Sequence, residues 1–219
     1  MLPLALACLV LTVGTWLAWR WVAAGSYRRE GEGGEPASAT PPRLRHLVLA
    51  APALGGALVW AHRDEPAAVV VLLAALAPFT LALTVADLDV HRLPNALTLP
   101  AVPGTLALLA LAAATSGRWE DLVRSIWAAG LVGGAFVVVS LALGSRGLGM
   151  GDAKLMLSLA PLLAWHGWAV LATGVYLGFL FGGLAALVLL LARRATRGSH
   201  LAFGPYLLAG AVCALLAAR

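Results

Sequence analysis

Three aspartates fall at the edges of long apolar runs: Asp87, Asp89 and Asp152. Asp152 lies in Gly149-Met150-Gly151-Asp152-Ala153-Lys154-Leu155, where a glycine-rich loop meets an apolar stretch. Ionisable side chains at membrane depth are costly and generally functional. Two carboxylates held a few ångströms apart cannot both ionise easily, so they share a proton. One then acts as base on a water, while the protonated one polarises a peptide carbonyl and helps the amine leave. That chemistry is aspartic proteolysis, and its titration belongs to the pair. Gly149 and Gly151 let the chain bend tightly and let a substrate backbone come close. Lys154 would bias the local charge or anchor at the headgroups. An aspartate at a helix N-terminus is also a common cap, so Asp152 alone carries two readings.

The elements that must position these acids are membrane helices. The chain is 61% hydrophobic and 11% charged, with mean hydropathy +0.90, against roughly one quarter charged in soluble domains. Its apolar blocks run to about 17–25 residues, enough to cross a hydrocarbon core as helices whose backbones satisfy themselves in lipid. The expected fold is all-α, a polytopic membrane protein with about eight transmembrane helices; the short alternating segments of a β-barrel are not seen. The net charge of +5 comes from arginine-rich loops, which report topology rather than nucleic-acid binding. Cys8 and Cys213 each sit inside an apolar block, so neither a Cys-x-x-Cys zinc site nor a disulfide is expected. His46, His62, His166 and His200 are scattered over both sides and His91 reads as a headgroup-level residue, so no metal cluster and no cofactor are expected.

Along the chain, residues 1–25 read as a first transmembrane helix and 26–46 as a flexible cytoplasmic linker, rich in Gly and Glu with Pro36, Pro41 and Pro42. Residues 47–219 read as a seven-helix membrane core with spans near 47–61, 67–86, 96–114, 126–143, 151–165, 169–192 and 202–218. Residues 62–66 form a turn, 116–125 a polar amphipathic connection, and 165–168 a turn flanked by interfacial tryptophans. Gly174, Gly178 and Gly182 line a small-residue face suited to ordinary close packing. Span 151–165 reaches only about 22 Å at 1.5 Å per residue, which would sink Asp152 partly below the membrane surface. With the N-terminus outside, eleven basic residues fall on inner loops and four on outer ones, as the positive-inside rule requires. Asp87, Asp89 and Asp152 then share the cytoplasmic face, while Asp64, Glu65, Glu120, Asp121 and the linker glutamates lie in polar loops.

Ala86-Asp87-Leu88-Asp89-Val90-His91-Arg92-Leu93-Pro94-Asn95 resembles the first aspartate motif of type IV prepilin peptidases, in which a helix-ending aspartate is followed by a proline and then an acid or amide. Gly149-Met150-Gly151-Asp152-Ala153-Lys154 resembles that family's Gly-x-Gly-Asp-x-Lys motif, and Phe203-Gly204-Pro205 its Phe-Gly-Pro signature at the start of the last helix. The likeness covers roughly residues 61–218. It implies an intramembrane aspartic endopeptidase of the bacterial inner membrane. Such an enzyme would cut the basic leader from prepilins or pseudopilins at the cytoplasmic face, for pilus assembly or protein secretion. Carried over by position, Asp87 and Asp152 match the catalytic pair. Gly149, Gly151, Lys154, Asp89, Pro94, Asn95, Phe203, Gly204 and Pro205 are expected to support the site or bind substrate. Asn95 stands where many members carry an acid. Bifunctional members have a larger segment after the first helix, often with paired Cys-x-x-Cys motifs; residues 26–46 are short and cysteine-free, so an N-methyltransferase module is not expected. Expected partners are prepilin or pseudopilin substrates and membrane lipid, with no nucleic acid.

Two other classes remain open at this point. A proton-coupled small transporter would place its acids near the bilayer midplane in broken helices. An inactive assembly protein of a secretion system would not need both acids. A presenilin-like protease shares the Gly-x-Gly-Asp pattern, but no Tyr-Asp pair is present, and the one Pro-Ala-Leu run, Pro52-Ala53-Leu54, precedes both aspartates instead of following Gly-x-Gly-Asp.

Overall fold

The computed structural model describes residues 2–25, 27, 44–90, 92–143, 149–192 and 202–218. Most of the 26–46 stretch, together with His91 and His200, lies outside the described residues. Among the described residues the α-helices are α1 (Leu2–Ala24), α2 (Ala51–Ala61), α3 (Ala67–Val90), α4 (Asn95–Ser116), α5 (Trp119–Ala128), α6 (Gly134–Leu143), α7 (Met150–Trp165), α8 (Trp168–Leu191) and α9 (Gly204–Ala217), with no strand. A 3₁₀ turn at Arg45–Ala50 leads directly into α2, and a π-helical turn at Ala129–Gly133 joins α5 to α6. Among the described residues these make eight helical rods. Five are long and apolar enough to cross a membrane: Leu2–Ala24, Ala67–Val90, Asn95–Ser116, Trp119–Ala142 and Trp168–Leu191. The protein is an all-α, multi-pass membrane protein.

Several boundaries move from their sequence positions for physical reasons. The second span starts at Arg45, inside the stretch read as linker, because the 3₁₀ turn precedes the proline-containing first turn of α2. The acids after Ala86 end the apolar run but not the backbone hydrogen bonding, so α3 continues to Val90 and holds Asp87 and Asp89 in its last turns. The polar segment 116–125 is no separate connection. Gly117 closes α4 in the left-handed conformation (φ 75°) with its N–H on the Ala113 carbonyl, and α5 starts two residues later as the amphipathic head of the fifth rod. The π turn brings Gly133 against α7, where a Cβ would lie 3.0 Å from Leu157 Cα. Such turns widen a helix locally and let another backbone approach.

Helix α7 is the axis of the core. It packs against α4, α5, α6, α8 and α9 and is buried nearly all round, from Asp152 to Trp165, as a helix apolar on every face must be. Helices α1 and α8 instead expose their large apolar side chains, among them Trp16, Leu17, Leu180, Leu184 and Leu187. In a membrane those faces meet lipid. Since α3 and α7 run in opposite directions, the C-terminal end of α3 and the N-terminal end of α7 lie together, and so do His62, before α3, and His166, after α7.

At that second end His62 and His166, read from sequence as scattered, meet Glu65, read as a loop acid, and Arg118. Glu65 Oε2 accepts from Arg118 Nη1 at 2.5 Å and from Trp165 Nε1 at 3.1 Å. Arg118 also pairs with Asp121 and lies over the Trp165 ring. Arg124 donates to the Ala164 carbonyl and, at 2.6 Å, to that of Trp165, supplying partners for the orphan carbonyls that end α7. The His62 and His166 rings stand 4.5 Å apart. Burial first, and His62 second, push the His166 imidazole down to about 4, which keeps the ring neutral at pH 7. The expectation of scattered histidines without a cluster does not hold: donor atoms of His62, Glu65 and His166 all lie within 4.8 Å of one another. Short loops far apart in the chain carry no periodicity that would have paired them.

Candidate active site

Asp87 and Asp152 are both buried, at 4% and 7% exposure, and lie within electrostatic range of each other across the α3–α7 end of the core. Like charges so placed, out of water, are the arrangement in which two carboxyl groups hold one proton between them.

Each acid accepts from the backbone N–H of a glycine. Asp87 Oδ2 accepts from the Gly204 N–H at 3.1 Å. Gly204 opens α9, with Phe203 as the residue before the helix, so this N–H is one of the donors left free at a helix start. The positive end of the α9 dipole therefore faces Asp87. Pro205 fits the first turn because its missing N–H is not needed there. On the other side, Asp152 is the third residue of α7, and Gly149 is its N-cap. The Gly149 N–H donates to the Asp152 carboxylate, which is the back-reaching arm of a capping box. Capping and catalysis, set apart as alternatives from sequence, are compatible in one side chain.

Leu93 is a residue that sequence reasoning missed. It is buried between α3 and α4, and a Cβ on Gly151 would lie 2.9 Å from Leu93 Cβ, while one on Gly204 would lie 3.2 Å from Leu93 Cδ1. One leucine thus spaces the glycines beside the two acids. Pro94 follows in extended conformation (φ −68°, ψ 131°) as the N-cap of α4. Its carbonyl accepts from the amides of Leu97 and Thr98. Asn95 Oδ1 accepts from Lys154 Nζ at 2.8 Å, which ties the first aspartate motif to the second. Lys154 is therefore a strut between α4 and α7.

Asp89 is occupied elsewhere. Its Oδ2 accepts from the Tyr27 hydroxyl at 2.8 Å, and the buried Tyr27 ring packs on Trp21 at 5.1 Å. This contact anchors the end of α1 to the end of α3. The glycine face of α8, read from sequence as ordinary packing, also reaches the site. Gly178 meets α9 where a Cβ would lie 3.1 Å from Leu207 Cα, and at Gly182 one would lie 2.4 Å from Phe203 Cε2. The Phe203 ring fills the space over Gly182 and packs on Phe179 at 5.2 Å, which sets the position of the Gly204 amide one residue on.

Comparison with known proteins identifies the family of the chain. The Type IV leader peptidase family matches residues 71–191, a segment holding Asp87, Pro94, Asn95 and Gly149 to Lys154. The chain is similar to the prepilin leader peptidase/N-methyltransferase of Stutzerimonas stutzeri, 35% identical over 141 residues covering 62% of this chain and 46% of the relative. It is similar to that of Pseudomonas aeruginosa, 34% identical over 140 residues covering 62% and 46%, and to that of Aeromonas hydrophila, 38% identical over 136 residues covering 62% and 45%. The chain spans about half the length of the curated relatives it matches. No solved structure matches it. The chain belongs to the type IV leader peptidase family.

Proposed function

We propose that the protein is a membrane-embedded aspartic endopeptidase that removes the leader peptide of type IV prepilins or pseudopilins. The observation that carries this reading is the burial of Asp87 and Asp152 together at one end of the core, each with a backbone N–H on its carboxylate. With one proton between them, one carboxylate draws a proton from water while the other donates to the scissile carbonyl oxygen. The roles reverse as the amine leaves with its proton. Lys154 and Asn95 hold the two motifs in register, and Gly149, Gly151 and Gly204 leave room for an extended substrate backbone. Residues 45–219 act as the catalytic core, with 1–25 as an additional helix and the stretch between them as a cytoplasmic linker.

The positive-inside distribution of the arginines supports an inner-membrane orientation with the N-terminus outside and the dyad at the cytoplasmic face. A substrate whose basic leader gives way to an apolar helix places its junction at that same level. Incubating the detergent-purified chain with a synthetic peptide that spans such a junction tests the reading. A single cut at the junction is expected, and an intact peptide would overturn it. Asp89→Asn keeps cleavage within about tenfold of wild type, because its hydroxyl contact is not with a reacting group; a loss as large as that of Asp87→Asn would move the first acid to position 89.

A further inference from the structure

At the end of the bundle remote from the dyad, we infer that His62, Glu65 and His166 form a binding site for a divalent transition-metal ion of the zinc class. Zinc bonds of about 2.0–2.2 Å set tetrahedral donors roughly 3.3 Å apart. The donor atoms here lie within 4.8 Å of one another, and His166 Nδ1 stands 3.7 Å from Glu65 Oε1. Rotations of these side chains by about 1 Å at the donor atom close the set. Two imidazoles and one carboxylate suit zinc-like ions rather than calcium or magnesium, and three protein ligands leave one position for water.

The surroundings are those of a built site. His62 Nε2 lies 2.8 Å from the Leu215 carbonyl. A carbonyl only accepts, so Nε2 carries the proton and Nδ1 keeps its lone pair, the tautomer that a backbone carbonyl imposes on a metal-bound histidine. His166 turns Nδ1, the nitrogen that an ion shared with Glu65 would take, toward the Glu65 carboxylate, while its Nε2 is buried with no hydrogen bond. Glu65 is oriented through Oε2 by Arg118 and Trp165, which leaves Oε1 turned to His166. The Arg118 charge, which would oppose a cation, is offset by its pairing with Asp121. An ion here would pin the α2–α3 turn to the α7–α8 turn, with α9 behind it through Leu215. From Ala67 to Asp87, α3 rises about 30 Å at 1.5 Å per residue, so the ion would act as a clamp far from the reacting atoms.

The test uses the full chain carrying a tag without histidines, stripped with a chelator and dialysed against zinc chloride. The expected result is one zinc per chain by mass spectrometric metal analysis and a Tm that rises with zinc. His62→Gln and His166→Gln should each weaken binding at least about tenfold and remove the Tm response, while the Asp87→Asn/Asp152→Asn double variant keeps both. Cobalt added to the wild-type chain should give the strong visible absorption of tetrahedral coordination, a readout that requires no variant to fold. Substoichiometric zinc with no tetrahedral cobalt spectrum would overturn the proposal, and so would full binding by the His62→Gln/His166→Gln double variant. None of these readouts depends on peptide cleavage.

Discussion

Asp87→Asn and Asp152→Asn each lower leader cleavage at least about 10³-fold, within the range set by loss of a positioned acid or base, while the protein still inserts and folds. Asparagine is nearly isosteric with aspartate and keeps a side-chain oxygen, so the Gly204 N–H at position 87 and the Gly149 N–H at position 152 retain an acceptor. What disappears is the carboxyl group able to take up or give a proton. Because the dyad acts as a unit, the double variant should be scarcely worse than either single one. Cleavage rates alongside Tm of the detergent-solubilised proteins check both halves of this result. A single variant with near wild-type rate would remove that acid from the mechanism.

Gly204→Ala separates the site from the stability of the fold. A methyl group at this position would lie 2.9 Å from Asp87 Oδ2 and 3.2 and 3.3 Å from the Leu93 methyl carbons, well inside ordinary contact. Either the carboxylate moves or the start of α9 does, and both lengthen the 3.1 Å hydrogen bond that holds Asp87. Misplacement of a catalytic group on that scale lowers rates about 10²-fold. Gly204 is the first residue of α9, so alanine gains only part of its interior advantage of about 1 kcal/mol over glycine; that gain works against the cost of the contacts, and Tm should change little. Loss of cleavage at near-constant Tm is the expected pattern. A normal rate would show that the Phe203-Gly204-Pro205 turn does not hold Asp87.

The acids and the glycines beside them were readable from sequence because each stands at the edge of an apolar run, and because arginine counts put those edges on one face. Their companions were not readable. Leu93 looks like any loop leucine until the chain returns with Gly151 and Gly204, distant in sequence, on either side of it. The Gly174, Gly178 and Gly182 face has the spacing of any packing stripe, and only the position of the Phe203 ring over Gly182 connects it to Asp87. Helix α3 outlasts its hydrophobic run because backbone hydrogen bonds, not side-chain polarity, decide where a helix stops. The cluster of Glu65, Arg118, His62 and His166 shows the same limit at the opposite end. Each member is an ordinary polar loop residue, and burial is what gives the group its chemistry.

The most direct test of the central claim is co-expression of the chain with a type IV prepilin in a host lacking its own leader peptidase, followed by intact-mass analysis of the pilin. The mass also shows whether the new N-terminus gains a methyl group. With the wild-type chain the pilin should lose the mass of its basic leader by a cut just before the apolar stretch, and with Asp152→Asn it should keep that mass. Full-length pilin beside the well-expressed wild-type chain, or processed pilin beside Asp152→Asn, would contradict the account.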